Sequence, residues 1–180
     1  MKQSDVVDRI LSLCAIVAAV AAVGVSVYEA RIDRAHQRIS VWPYLSQYNS
    51  NESGDYLRIV SNVGLGPALV RSFQVRVDGK TVKTWREAIF ALTGEPGGPL
   101  AAYSYGSLGR GQVLLPGAPY TLLKMPLQPT GLRFHQQVDR MWTRVCYCSL
   151  YEECWIADSA EDEPRRVGDC PAGREAEFQE

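Results

Sequence analysis

From Ile10 to Val27 the chain reads ILSLCAIVAAVAAVGVSV, eighteen residues without a charge. An α-helix rises ~1.5 Å per residue, so this run is about 27 Å long, close to the hydrocarbon thickness of a bilayer. Asp8 and Arg9 close it on one side, and Tyr28, Glu29 and Arg31 on the other. Tyr28 stands where an interfacial aromatic sits. The pattern predicts a transmembrane helix over residues 10–28 after a flank of residues 1–9, with the lipid bilayer as the partner of residues 10–27. Three rivals fit less well. A cleaved signal wants small residues just before the cut, and the exit VSVYEA puts bulky Tyr28 three places before it if Ala30 is the last residue removed. Lipidation at Cys14 would follow Leu13, which is too large, and leaves almost no apolar run ahead of it. A buried core helix is the last rival, and the run is apolar on all faces, unlike the one-sided helix at the surface of a soluble domain.

Past the span, EARIDRAHQR (residues 29–38) predicts a short helical stalk. The period then changes from that of a helix to that of strands. Ile39, Val41, Pro43 and Leu45 alternate with polar or aromatic residues, as in a half-buried strand, and Pro43 suggests a sheet edge. Residues 46–54 read as a polar turn, and Tyr56 to Ser61 as a second strand. In Asn62-Val63-Gly64-Leu65-Gly66-Pro67-Ala68 the glycines are free to take positive φ and the proline fixes the exit. Residues 69–77 alternate strongly and run into Asp78-Gly79, a hairpin signal. Thr84, with Glu87 three residues on, predicts a capped short helix that Gly94 ends. Residues 94–119 read as loop, with a strand candidate at 112–115. Tyr120–Met125 reads as a strand, Leu132–Arg140 as a helical turn and Thr143–Asp158 as a hairpin. Several short strands with turns between them predict a mainly β, antiparallel sandwich over residues 39–158 with one short helix. Residues 159–180 read as a polar, acidic tail tied down at Cys170.

Charge and cysteine usage narrow the setting. The 180 residues carry 19 basic and 20 acidic side chains, a net charge of -1. A nucleic-acid partner calls for a basic excess, so that class is set aside. The basic residues flanking the span nearly tie, Lys2 and Arg9 against Arg31, Arg34 and Arg38, so charge does not orient it. Cysteines do. Cys14 lies in the span, and Cys146, Cys148, Cys154 and Cys170 fall together near the C-terminal end, as structural disulfides in an oxidising compartment do. The competing reading is a four-cysteine zinc site facing the cytoplasm, but zinc ligand pairs usually stand two or four residues apart and these do not.

Four cysteines permit three pairings. On a strand, Cys146 and Cys148 share a face, and a turn centred on Tyr151 sets Cys148 opposite Cys154. The expected pairing is therefore Cys148 with Cys154, leaving Cys146 for Cys170.

The turn NVGLGPA together with VCYCSLYEECW, residues 145–155, resembles a group of uncharacterised bacterial single-pass membrane proteins. The resemblance implies an N-terminal anchor and an immunoglobulin-like β-domain, and it brings no activity with it.

Catalytic patterns do not surface. His36 and His135 have no cysteine or histidine at ligand spacing, and no G-x-S-x-G elbow occurs. Gly106 to Gly111 lacks the Gly-Lys-Ser/Thr ending of a phosphate loop. Neither a cofactor nor a metal is expected. The aromatics offer more: Trp42, Tyr44 and Tyr48 beyond the stalk and Tyr103 and Tyr105 in the long loop form a candidate binding surface for glycan, peptide or headgroup. Packing in the core is the plain alternative. Ala15/Ala19, Ala18/Ala22 and Ala22/Ser26 stand four apart, the spacing for close helix approach, so self-association is a second candidate contact. The expected function is a non-enzymatic, membrane-tethered, periplasmic β-sandwich module on the bacterial inner membrane that binds a partner protein or envelope component. The alternatives are a small envelope hydrolase with an unrecognised site and a cytoplasm-facing zinc-stabilised adaptor.

Overall fold

The computed structural model describes residues 2–95, 102–171 and 177–180. The chain forms two units, Met1–Ser40 and Val41–Glu180. The first is a single helix, α1 (Lys2–Ser40, 39 residues), about 58 Å long at ~1.5 Å per residue. It is long and apolar enough to cross a membrane, and its most apolar stretch is 0% buried. The helix carries straight through the stalk residues and stops at Ser40.

The second unit is built on two antiparallel sheets. One holds β1 (Leu45–Glu52), β2 (Asp55–Asn62), β7 (Pro119–Pro126) and β5 (Ser104–Tyr105) in the order β1-β2-β7-β5. The other runs from β10 (Arg165–Val167) through β9 (Cys154–Asp158), β8 (Met141–Cys148) and β3 (Ala68–Val77) to β4 (Lys80–Val82). β6 (Val113–Leu114) pairs with the start of β3, on the side away from β8. Inward side chains of both sheets, among them Tyr56, Val60, Phe73, Val75, Leu122 and Val145, make one buried cluster. α2 (Trp85–Thr93) adds Trp85 and Ile89 to it, and α3 (Pro129–Gln136) adds Phe134. A 3₁₀ turn, Val138–Arg140, leads into β8.

Local chemistry explains the elements. β3 buries every other residue over most of its length, and Asp78 (φ 50) with Gly79 (φ 77) turns it back into β4. Both residues have the positive φ that a two-residue hairpin needs. α2 starts where Thr84 Oγ1 accepts from Glu87 N, while Glu87 reaches back to accept from Lys83 N. It ends at Gly94, in the left-handed region with its N–H on Phe90 O.

The domain carries two short helices, α2 and α3, where one was expected, and the structure corrects three further expectations. Residues 41–44 are not strand, and the polar segment expected as a turn is most of β1, with a two-residue turn at Ser53-Gly54. As an edge strand with much of one side exposed, β1 is held by its backbone ladder to β2 and needs few apolar residues. Gly64 and Gly66 are not among the positive-φ glycines. They are glycine for closeness: a Cβ would lie 2.4 Å from Tyr44 N at Gly64 and 2.0 Å from Val41 O at Gly66. Finally, the C-terminal segment is not tied at Cys170 alone. Arg165–Val167 is paired to β9, and Phe178 is buried, 4.9 Å from Trp85 and 5.4 Å from Phe73 between ring centres. Phe178 N donates to Phe73 O, and Glu180 accepts from Trp85 N. A single phenylalanine in a polar stretch has no periodicity to announce it.

Candidate functional site

Val145 and Tyr147 of β8 enter the core, so alternation turns Cys146 and Cys148 to the outer face of that sheet. Cys148 lies opposite Cys154 across the β8–β9 ladder, and the two are bonded, with Cα atoms 4.0 Å apart. Cys146 is bonded to Cys170, Cα to Cα 5.8 Å. Beyond β10 the chain therefore returns over β9 and is pinned to β8. The two bridges touch: Cys148 Sγ is 3.9 Å from Cys170 Sγ, and the Sγ atoms of Cys148, Cys154 and Cys170 all lie within 4.8 Å of one another. A cavity of about 450 Å³ opens beside these three cysteines. Arg71 and Arg110 line it with Glu152 and Asp169, and Arg110 pairs with Glu177 at 3.4 Å. Sulfurs bonded in pairs are not the thiolates that zinc requires.

The aromatic residues divide into two groups. Trp42 and Tyr44 stack edge to face at 5.5 Å just before β1, and Tyr48 stands exposed in β1. Tyr103 and Tyr105, 6.2 Å apart, lie at β5. β1 and β5 are opposite edges of one sheet with two strands between them, so strand spacing alone sets them about 14 Å apart. The five side chains do not form one surface. Tyr103 packs partly on the core, and of these five Trp42, Tyr48 and Tyr105 are exposed.

Two buried polar networks escaped the sequence reading. Asn62, 0% exposed, accepts from Tyr44 N (3.2 Å) and Gly64 N (3.1 Å) and donates to Gly66 O (2.8 Å) and Leu114 O (2.9 Å). One side-chain amide thus joins the entry segment, its own turn and β6. Between the sheets, Arg58 (5% exposed) donates to Asn49 Oδ1 at 2.9 Å and to Thr143 Oγ1 at 2.6 Å. Tyr56 also donates to Asn49, and Thr143 donates to Gln47 Oε1. Burial lowers the Arg58 pKa and pushes that of Tyr56 up to about 12. The signal for Arg58 was its place on the inward parity of β2, between Tyr56 and Val60.

No family model, curated protein or solved structure matches this sequence. The chemistry therefore rests on geometry alone. His135 meets Asn51 at 3.3 Å through Nε2 and packs on the Tyr56 ring at 5.6 Å between centres. On the outer face of the second sheet Trp142 lies between the guanidinium groups of Arg76 (4.6 Å) and Arg144 (5.0 Å), and Arg144 pairs with buried Asp158. These are contacts within the domain. The cysteine cluster adjoins a cavity, with Cys146, Cys148 and Cys154 themselves buried.

Proposed function

We propose that this protein is a single-pass, membrane-tethered binding module whose immunoglobulin-like β-sandwich stands outside the cytoplasm. On this reading it engages a partner protein or envelope component from the outer side of a bacterial inner membrane. The observation that carries the reading is the pairing of a wholly unburied apolar helix with a separate domain stapled by two disulfides. Such a helix has no protein partner within its own unit, and hydrocarbon satisfies both its side chains and its internally bonded backbone. Disulfides persist where thiols are not kept reduced.

The strand order supports the immunoglobulin-like part. The order β1-β2-β7-β5 corresponds to A-B-E-D, and β9-β8-β3-β4 to G-F-C with an added C′ strand. In place of the inter-sheet disulfide of antibody domains, Arg58 of β2 hydrogen-bonds Thr143 of β8. Exposed Trp42 and Tyr48 near the β1 edge are the contact residues the reading favours. The test is a reporter active in one compartment only, fused after Glu180. Activity with an exported enzyme reporter supports the reading, and activity confined to a cytoplasmic reporter defeats it.

A further inference from the structure

The two bridges are in contact with each other. Thiol–disulfide exchange needs a thiolate within reach of a disulfide sulfur, and sulfurs at contact distance are placed for it. We propose that the Cys146–Cys170 and Cys148–Cys154 pair is a thiol–disulfide exchange site whose substrate is an external dithiol, protein-borne or small, admitted by the adjoining cavity.

The steps balance without a further oxidant. A thiolate of the dithiol attacks Cys154 Sγ from the cavity, which Cys148, Cys154 and Cys170 all line. A mixed disulfide forms, and Cys148 leaves as a thiolate. That thiolate already stands 3.9 Å from Cys170 Sγ. It attacks there, the Cys148–Cys170 bond forms, the Cys146–Cys170 bond breaks, and Cys146 leaves as a thiolate that takes a proton from solvent. The second thiolate of the dithiol then attacks its own mixed disulfide and releases Cys154. The dithiol has become a disulfide. The protein has gained two electrons, held as thiols at Cys146 and Cys154.

The consequence is a segment that stays tethered through a reduction. Residue 170 passes from the Cys146 position of β8 to Cys148, two residues along the same face. The loop closed by the new bond spans 22 residues in place of 24. Loop-closure entropy changes only with the logarithm of length, so the two linkages differ little on that account. The cavity lining carries both signs of charge, Arg71 and Arg110 with Glu152 and Asp169, so the exchange rests on sulfur placement. It does not depend on which side of the membrane the domain occupies.

The experiment uses the full chain in detergent. Cys154→Ser leaves Cys148 as a free thiol beside the intact Cys146–Cys170 bond. Incubated at about pH 8, near an ordinary thiol pKa, then alkylated and mapped without reduction, it is expected to show both Cys146–Cys170 and Cys148–Cys170 peptides, with label on Cys148 and Cys146 respectively. Folding is checked by the thermal transition. Wild-type chain treated with one equivalent of dithiothreitol provides a second arm: the half-reduced species is expected to carry label on Cys146 and Cys154 with Cys148–Cys170 intact. A folded Cys154→Ser protein that keeps Cys146–Cys170 alone overturns the proposal. So does a half-reduced wild type labelled only on Cys148 and Cys154.

Discussion

Replacing Asn62 with alanine removes one side chain and strands four backbone groups. Tyr44 N, Gly64 N, Gly66 O and Leu114 O each bond the Asn62 amide, which is 0% exposed. A buried hydrogen bond contributes about 1 kcal/mol net, so losing the four costs about 4 kcal/mol, and more for any group left dry. Against a typical domain stability of ~5–15 kcal/mol that is a large share. For a domain of this size the expected drop in Tm is about 10–20 °C. Asn62→Asp separates donors from bulk: it keeps the two acceptor bonds, loses both donor bonds to Gly66 O and Leu114 O, and buries a charge beside those carbonyls. It is expected to be at least as damaging as alanine. The assay is thermal unfolding of the full chain followed by tryptophan fluorescence, with the span held in detergent. A Tm change below about 3 °C for Asn62→Ala would refute the reasoning, since it would mean that the four bonds carry no net free energy.

Other perturbations probe different parts of the account. Phe178→Ala opens a void against Phe73 and Trp85 and is expected to cost about 3 kcal/mol in denaturant unfolding, whereas a loss near zero would show the C-terminal segment to be undocked. Arg58 is buried with neutral hydrogen-bond partners, Asn49 and Thr143, so Arg58→Met is expected to leave stability within about 1 kcal/mol or raise it; a loss beyond about 3 kcal/mol contradicts that. Tyr56, pushed up to about 12 by burial, keeps its proton in the folded state where an unfolded tyrosine, at about 10, has lost it. Its contribution is therefore intact below pH ~10 and disappears as pH rises toward 12. Tyr56→Phe should flatten the alkaline fall in stability, measured by denaturant midpoints across that window, and equal slopes in the two proteins would count against the assignment.

What the sequence revealed followed the strength of its periodic signals. The apolar run of α1, the alternation of β3, the Asp78-Gly79 turn and the Thr84–Glu87 cap are local signals, and each element they indicate is present. β1 was hidden because an edge strand satisfies itself through backbone pairing, and LSQYNSNE carries one deeply buried residue, Leu45. The Asn62 and Arg58 networks were hidden for another reason: their partners lie as far as 52 and 85 residues away, a distance no spacing pattern reports. The contact between the two bridges likewise depends on where Gly168 to Cys170 crosses back over the sheet, and composition does not show that path. Proximity in sequence to the stalk or to the long loop does not report which sheet edge each aromatic residue joins.

Limited trypsin digestion of sealed spheroplasts tests the central claim most directly, because Arg31, Arg34 and Arg38 lie on the exposed helix between the apolar run and the domain. An anchored, outward-facing domain is expected to be released as a soluble fragment beginning just after one of these arginines, with the N-terminal helix retained in the membrane pellet. Protein that stays full length until the membrane is broken, or that is soluble before any trypsin is added, would contradict the account.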